Sequence, residues 1–133
     1  MGFIYTLNAI IIITLIGIGL YQLYFYLKLK ASAKYITQEE LQENMRKGQL
    51  IDVREKEEFN RGHILGARSV PYTIARAHKE YLTAIRKDSP VYLYDNKKVF
   101  SINMASLLKK EGYTDIYVLK GGYSNWTGKT KKK

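Results

Sequence analysis

The sequence predicts one α/β domain with a mainly parallel sheet flanked by helices, preceded by a single N-terminal transmembrane helix. Three observations carry that expectation. Residues Met1 to Leu27 contain no charged side chain, although the chain as a whole has a formal net charge of +10. Beyond Ala33, short apolar runs of strand type alternate with helical patterns, the arrangement of an α/β domain. The 133 residues leave room for one modest core behind the apolar run, not two.

Gly2 to Leu27 reads "GFIYTLNAIIIITLIGIGLYQLYFYL". As a helix rising ~1.5 Å per residue it extends about 39 Å, against ~30 Å of hydrocarbon, so it spans with tilt or leaves its ends among the headgroups. Phe3 and Tyr5 at one end, with Tyr21, Tyr24 and Tyr26 at the other, sit where aromatic belts form. A buried helix of a soluble protein does not fit that length and uniform apolarity. Ala31 to Ala33, "ASA", has the form of a signal-peptidase site. Yet no Lys or Arg precedes the run, and the run is longer than an ordinary signal core. Lys28, Lys30 and Lys34 follow at once, and the positive-inside rule holds such lysines in the cytoplasm. The expected layout is a transmembrane helix over 1–27, a basic juxtamembrane linker over 28–34, a folded domain over 35–128 and a solvated basic tail over 129–133. The protein is expected at the cell membrane as a single-pass chain, its C-terminal domain cytoplasmic and its lysines near anionic lipid.

Within the domain, "YITQEELQENMRKG" has a capping-box start, Thr37 followed three residues later by Glu40, and Gly48 as its C-cap. "QLIDVR" is a strand. "EKEEFNRGH" gives a helical turn or two, and "ILGARSVPY" an extended segment. "TIARAHKEYLTAIRKD" predicts a helix over 73–87 with Ile74, Ala77, Tyr81, Leu82 and Ile85 on one face. "PVYLYD" is a buried strand, "VFSINMASLLKKEGY" a helix with Gly112 near its stop, and "DIYVLKGG" a third strand. "YSNWTG" closes the domain with a short turn.

The chain has no cysteine. Disulfides, thiolate metal sites and cysteine nucleophiles are thereby excluded. Asp95 ends the apolar run "VYLY" and opens a polar loop before a helix, which in open parallel sheets is where ligands bind.

Three blocks of sequence resemble the rhodanese-like domain family. Leu50 to Tyr72, "LIDVREKEEFNRGHILGARSVPY", follows that family's D-V-R, E-F, G-H-I, G-A and Pro pattern. The loop after "VYLY" occupies the position of its active-site loop. Gly112 to Trp126, "GYTDIYVLKGGYSNW", is similar to its closing segment with Gly-Gly and Trp. The resemblance covers nearly all of residues 34–128. It implies the rhodanese-like fold, and a structural role for Asp52, Arg54, Glu58, His63, Gly121, Gly122 and Trp126.

Active members of the family place a cysteine at the end of the central strand, in a loop of the form C-x-x-G-x-R-S. Backbone N–H groups and a helix N-terminus there make an anion cradle that lowers the thiol pKa and steadies a persulfide. Aligned here, the loop is Asp95-Asn96-Lys97-Lys98-Val99-Phe100-Ser101. Asp95 stands at the cysteine position, Lys98 at the glycine and Phe100 at the arginine; Ser101 alone matches. A carboxylate cannot hold a transferable persulfide, so sulfurtransferase activity is not expected.

Asp95 has two readings. It accepts hydrogen bonds from its own loop and caps the next helix. Alternatively it is an acid, base or nucleophile, with Lys97 or Lys98 holding an anionic substrate; no second carboxylate in "DNKKV" supports a metal-assisted version. His63 has no metal-binding partner at useful spacing and reads as a hydrogen-bonded structural residue, and Trp126 as a packing anchor. His78 reads as partly exposed. Lys and Arg are dispersed apart from the juxtamembrane lysines and the tail, and no recognition motif accompanies them, so nucleic acid is not an expected partner. No metal or cofactor is implied. The reading is a catalytically inactive module that binds membrane lipids and a protein partner; a small anion at the altered loop is the alternative.

Overall fold

The computed structural model describes residues 2–132. A long helix, α1 (Gly2–Ser32), leads into β1 (Lys34–Ile36). Then come α2 (Gln38–Asn44), β2 (Gln49–Asp52), α3 (Lys56–Arg61), β3 (His63–Ile64) and β4 (Arg68–Ser69), followed by α4 (Tyr72–Ala77) and β5 (Val91–Tyr94). The chain closes with α5 (Val99–Lys110), β6 (Ile116–Leu119) and β7 (Thr130–Lys131). The main sheet has the order β1-β6-β5-β2-β4 with every pairing parallel, and β3 and β7 form a separate antiparallel pair. This is the expected α/β fold.

Alternation along the central strands sorts the core onto two faces. Ile51, Val91, Leu93 and Val118 face one way, onto Ile102, Met104, Ala105 and Leu108 of α5 and Ala75 of α4. Leu50, Tyr92, Tyr94 and Leu119 face the other, with Leu41 of α2 and Ile64. All of β5 is buried, as a parallel strand covered on both faces must be. The capping box of α2 is formed: Thr37 Oγ1 accepts from Glu40 N at 3.2 Å, and the Glu40 carboxylate accepts from Thr37 N at 3.1 Å.

Four local expectations are corrected. The basic segment 28–34 is not a separate linker, because α1 continues through Lys28 and Lys30 to Ser32, and Lys34 begins β1. Phe25 and Leu29 explain this: both are buried in the cluster around α5, so the end of the apolar run is held by the domain. The tail is not wholly unstructured, since Thr130–Lys131 pairs with His63–Ile64. The helix expected over 73–87 breaks at His78 (φ −132°, ψ 87°) and continues as a 3-10 turn over Lys79–Ala84. The break turns Leu82 and Ile85 inward with Ala75 and leaves Ile74 and Tyr81 exposed. The strand before the Gly-Gly pair stops at Leu119, and Gly121 and Gly122 form a turn with φ of +83° and +63°. Gly48 is the expected C-cap: in an extended conformation it closes the 3-10 turn Met45–Lys47 that follows α2, and it is needed for space, since a Cβ there meets the Pro90 carbonyl oxygen at 2.5 Å.

Candidate functional site

β5 delivers Asp95 to the carboxyl end of the sheet, between the neighbouring ends of β2 and β6. Its side chain does not face outward. Asp95 is 5% exposed, and both carboxylate oxygens are engaged by the first turn of α5. Oδ1 accepts from Ser101 Oγ at 2.7 Å, and Oδ2 accepts from Phe100 N at 3.1 Å. Lys98 occupies the N-cap position but makes no side-chain capping bond, so Asp95 serves the helix end from three residues further back. A carboxylate there also meets the positive end of the helix dipole.

Burial pushes the Asp95 carboxyl above its ordinary value of 3.8, opposed by hydrogen bonds from Ser101 Oγ and the Phe100 and Ser101 amides. The folded state therefore holds this proton more tightly than the unfolded chain. The resulting stabilisation is full below about pH 3.8 and is lost as pH rises through the folded value. Asp95→Asn removes that linkage. On lowering the pH from neutral, the stability difference between wild type and Asp95→Asn is expected to move in favour of the wild type, read from urea midpoints. A difference that does not vary with pH would contradict a buried, titrating Asp95.

One side of the loop is tied to the D-V-R block. Arg54 Nη2 donates to Asp52 Oδ2 at 2.7 Å and to the Gly62 carbonyl at 2.7 Å, while Nε donates to Asp52 Oδ1 at 3.1 Å. Arg54 Nη1 donates to Asn96 Oδ1 at 3.2 Å, and Asn96 Nδ2 donates to Glu58 Oε2 at 2.6 Å. Asn96 thus links Arg54 and Glu58 to the loop. The guanidinium also lies 4.3 Å from the Tyr123 ring centroid, a cation–π distance. The other side of the loop is backbone on backbone: Tyr123 N donates to the Asp95 carbonyl at 2.8 Å, and Ser124 N to the Asn96 carbonyl at 3.1 Å.

His63 is buried, with Nδ1 2.8 Å from the Phe59 carbonyl and its ring stacked 3.7 Å from that of Phe59. Trp126 Nε1 donates to the Lys129 carbonyl at 3.2 Å, and the ring packs on the second core face. Lys97 and Lys98 are exposed and lie outside the Asp95 hydrogen-bond set. Among the described residues no group of three or more His, Asp or Glu side chains could hold a metal. A cleft of about 840 Å³ lies away from the loop, against Gly48 and Gln49 at the amino end of β2. It has no part in the chemistry of Asp95. The roles of Asn96 and Tyr123 were missed by sequence reasoning, for neither residue type signals a tether until the fold brings Arg54 to it.

The rhodanese-like domain family model matches residues 37–129. The chain belongs to the rhodanese-like domain family. It is 44% identical over 126 residues to the uncharacterized protein YqhL of Bacillus subtilis, covering 95% of this chain and 98% of that one. It is 33% identical over 78 residues to the thiosulfate sulfurtransferase GlpE of Shewanella oneidensis, 59% of this chain and 74% of that protein. Among solved structures it is similar to a rhodanese-like domain protein of Staphylococcus aureus, with a TM-score of 0.66 and 26% identity over 75% of this chain and 98% of that chain. This rhodanese-like domain has no cysteine at all.

Proposed function

We propose that this chain is a single-pass, membrane-anchored rhodanese-like domain that serves as a protein-interaction or regulatory module and does not transfer sulfur. The observation that carries the reading is the Asp95 carboxylate, which sits buried where a nucleophile would stand and takes the hydrogen bonds of Phe100 N and Ser101 Oγ for itself. A site that supplies its own anion has no place for an incoming one. Asp95 as a catalytic base or nucleophile is disfavoured on the same ground, since the residue is buried and both of its oxygens are engaged.

The anchor reading rests on α1, whose long apolar stretch has a mean hydropathy of 2.2. Lys28, Lys30 and Lys34 favour a cytoplasmic domain, and protease protection of sealed membrane vesicles tests that orientation. For activity, the full chain in detergent is expected to move sulfur from thiosulfate to cyanide at the rate of a no-protein control. Turnover well above that control, abolished by Asp95→Asn, would overturn the proposal in favour of unconventional catalysis.

A further inference from the structure

The way α1 docks on the domain decides which face of the domain meets the membrane. Phe25 and Leu29 are buried against α5, and Lys28 Nζ donates to Asn103 Oδ1 at 2.6 Å. One turn earlier on α5, Val99 borders a cleft with Phe25 and Tyr21, which lie one and two turns before Lys28 on α1. The two helices therefore advance in the same direction. The amino end of α5, with the Asp95 loop, points back along α1 toward its apolar part.

Length agrees with this placement. Gly2 to Tyr21 as helix rises about 30 Å, the thickness of the hydrocarbon. The polar amide of Gln22 then lies at the interface, and Tyr21, Tyr24 and Tyr26 fall in the aromatic belt. The rest of α1 stands outside the bilayer, where its buried residues contact the domain. Val99 and Lys98, beside Tyr21, are level with the headgroups.

The face so presented is basic. Lys97, Lys98 and Lys120 are exposed and border one shallow depression with Tyr35 and Ser124, whose lining includes no carboxylate. Glu58, which reaches the loop, is engaged by the Asn96 amide, and Asp95 is buried. Lys98 also stands at a cleft of roughly 550 Å³ walled by Thr14, Gly17, Ile18 and Tyr21 of α1.

We propose that the face carrying the altered loop lies on the bilayer surface, where Lys97, Lys98 and Lys120 meet the phosphates of anionic lipid headgroups. This rests on the membrane-anchor reading of α1. The loop is then reached from the plane of the membrane, and the opposite end of the sheet faces the aqueous phase.

Because the chain has no cysteine, a single introduced thiol takes a nitroxide label without competition. The full chain is reconstituted in bilayers of phosphatidylcholine and phosphatidylglycerol with labels at Val99→Cys, at Asp88→Cys beyond the far end of the sheet, and at Ile13→Cys within α1. Accessibility to oxygen, which concentrates in lipid, is compared with accessibility to a water-soluble nickel chelate. The label at 99 is expected to show a several-fold higher oxygen-to-nickel ratio than that at 88. Adding K97E, K98E and K120E together is expected to bring it down toward the value at 88. Equal water exposure at 99 and 88 with the label at 13 buried in lipid overturns this inference and leaves the anchor standing. A water-exposed label at 13 overturns both. Lipid contact at 99 that survives charge reversal and persists in pure phosphatidylcholine overturns the assignment to anionic headgroups.

Discussion

Arg54→Ala is expected to destabilise the domain by about 3–5 kcal/mol, the usual cost of leaving one member of a buried ion pair without its partner. Asp52 is 0% exposed and Arg54 4%. Truncation removes both side-chain donors to the Asp52 carboxylate, leaving it the Arg54 backbone N–H, which donates to Oδ1 at 2.9 Å. It also removes the donor to the Gly62 carbonyl and the tether to Asn96. Arg54→Lys is expected to recover little, because a point charge cannot reproduce a fork that bonds Asp52, Gly62 and Asn96 at once. Replacing Asp52 and Arg54 together with apolar residues of similar volume should cost less than Arg54→Ala alone, since no buried charge is left over. Trp126 is the only tryptophan, so its fluorescence through a urea titration reports each variant. A loss below about 1 kcal/mol for Arg54→Ala would mean that the pair behaves as an exposed one.

What was legible in the sequence is what local chemistry determines. The apolar run of α1, the capping box of α2, the buried strands β2 and β5 and the helix α5 all follow from composition and period within a few turns of chain. Elements set by distant partners were not legible. β4 and β7 are two-residue strands whose pairing with β2 and β3 depends on the finished sheet. The break at His78 appears only because Leu82 and Ile85, rather than Ile74 and Tyr81, find the core. Helical continuity through Lys28 and Lys30 depends on Phe25 and Leu29 reaching α5. At the site, the position of Asp95 was readable from the strand-to-helix pattern, and the replacement of the cysteine from the resemblance. That the carboxylate turns inward to cap its own helix is one of its two readings from sequence; the choice of Phe100 N and Ser101 Oγ as donors depends on their spacing across a folded loop. The Asn96 bridge needed Arg54 and Glu58 brought together from an earlier block.

Gly122→Ala should be nearly as damaging as the loss of Arg54, for a reason of backbone rather than charge. Gly122 has φ +63° and ψ −166°, a region open essentially to glycine alone. A side chain there pays about 1–3 kcal/mol in strain. It also has nowhere to go: its Cβ meets the Asn96 carbonyl oxygen at 2.5 Å and the Asp95 carbonyl oxygen at 2.7 Å. Those atoms are backbone and belong to the altered loop, so relief requires moving the loop. Movement would in turn stretch the bonds from Tyr123 N to Asp95 and from Ser124 N to Asn96. The expected outcome is a loss of about 3 kcal/mol, the strain cost together with the collision. Amide resonances of Asn96 to Ser101 should shift with it, because Asp95 and the first turn of α5 are displaced together. Gly121→Ala meets the Asn125 side chain instead of the loop backbone, so its effect should stay on the closing turn. If Gly122→Ala left both the stability and the loop resonances unchanged, the Gly-Gly turn would not be what holds Asp95 in place.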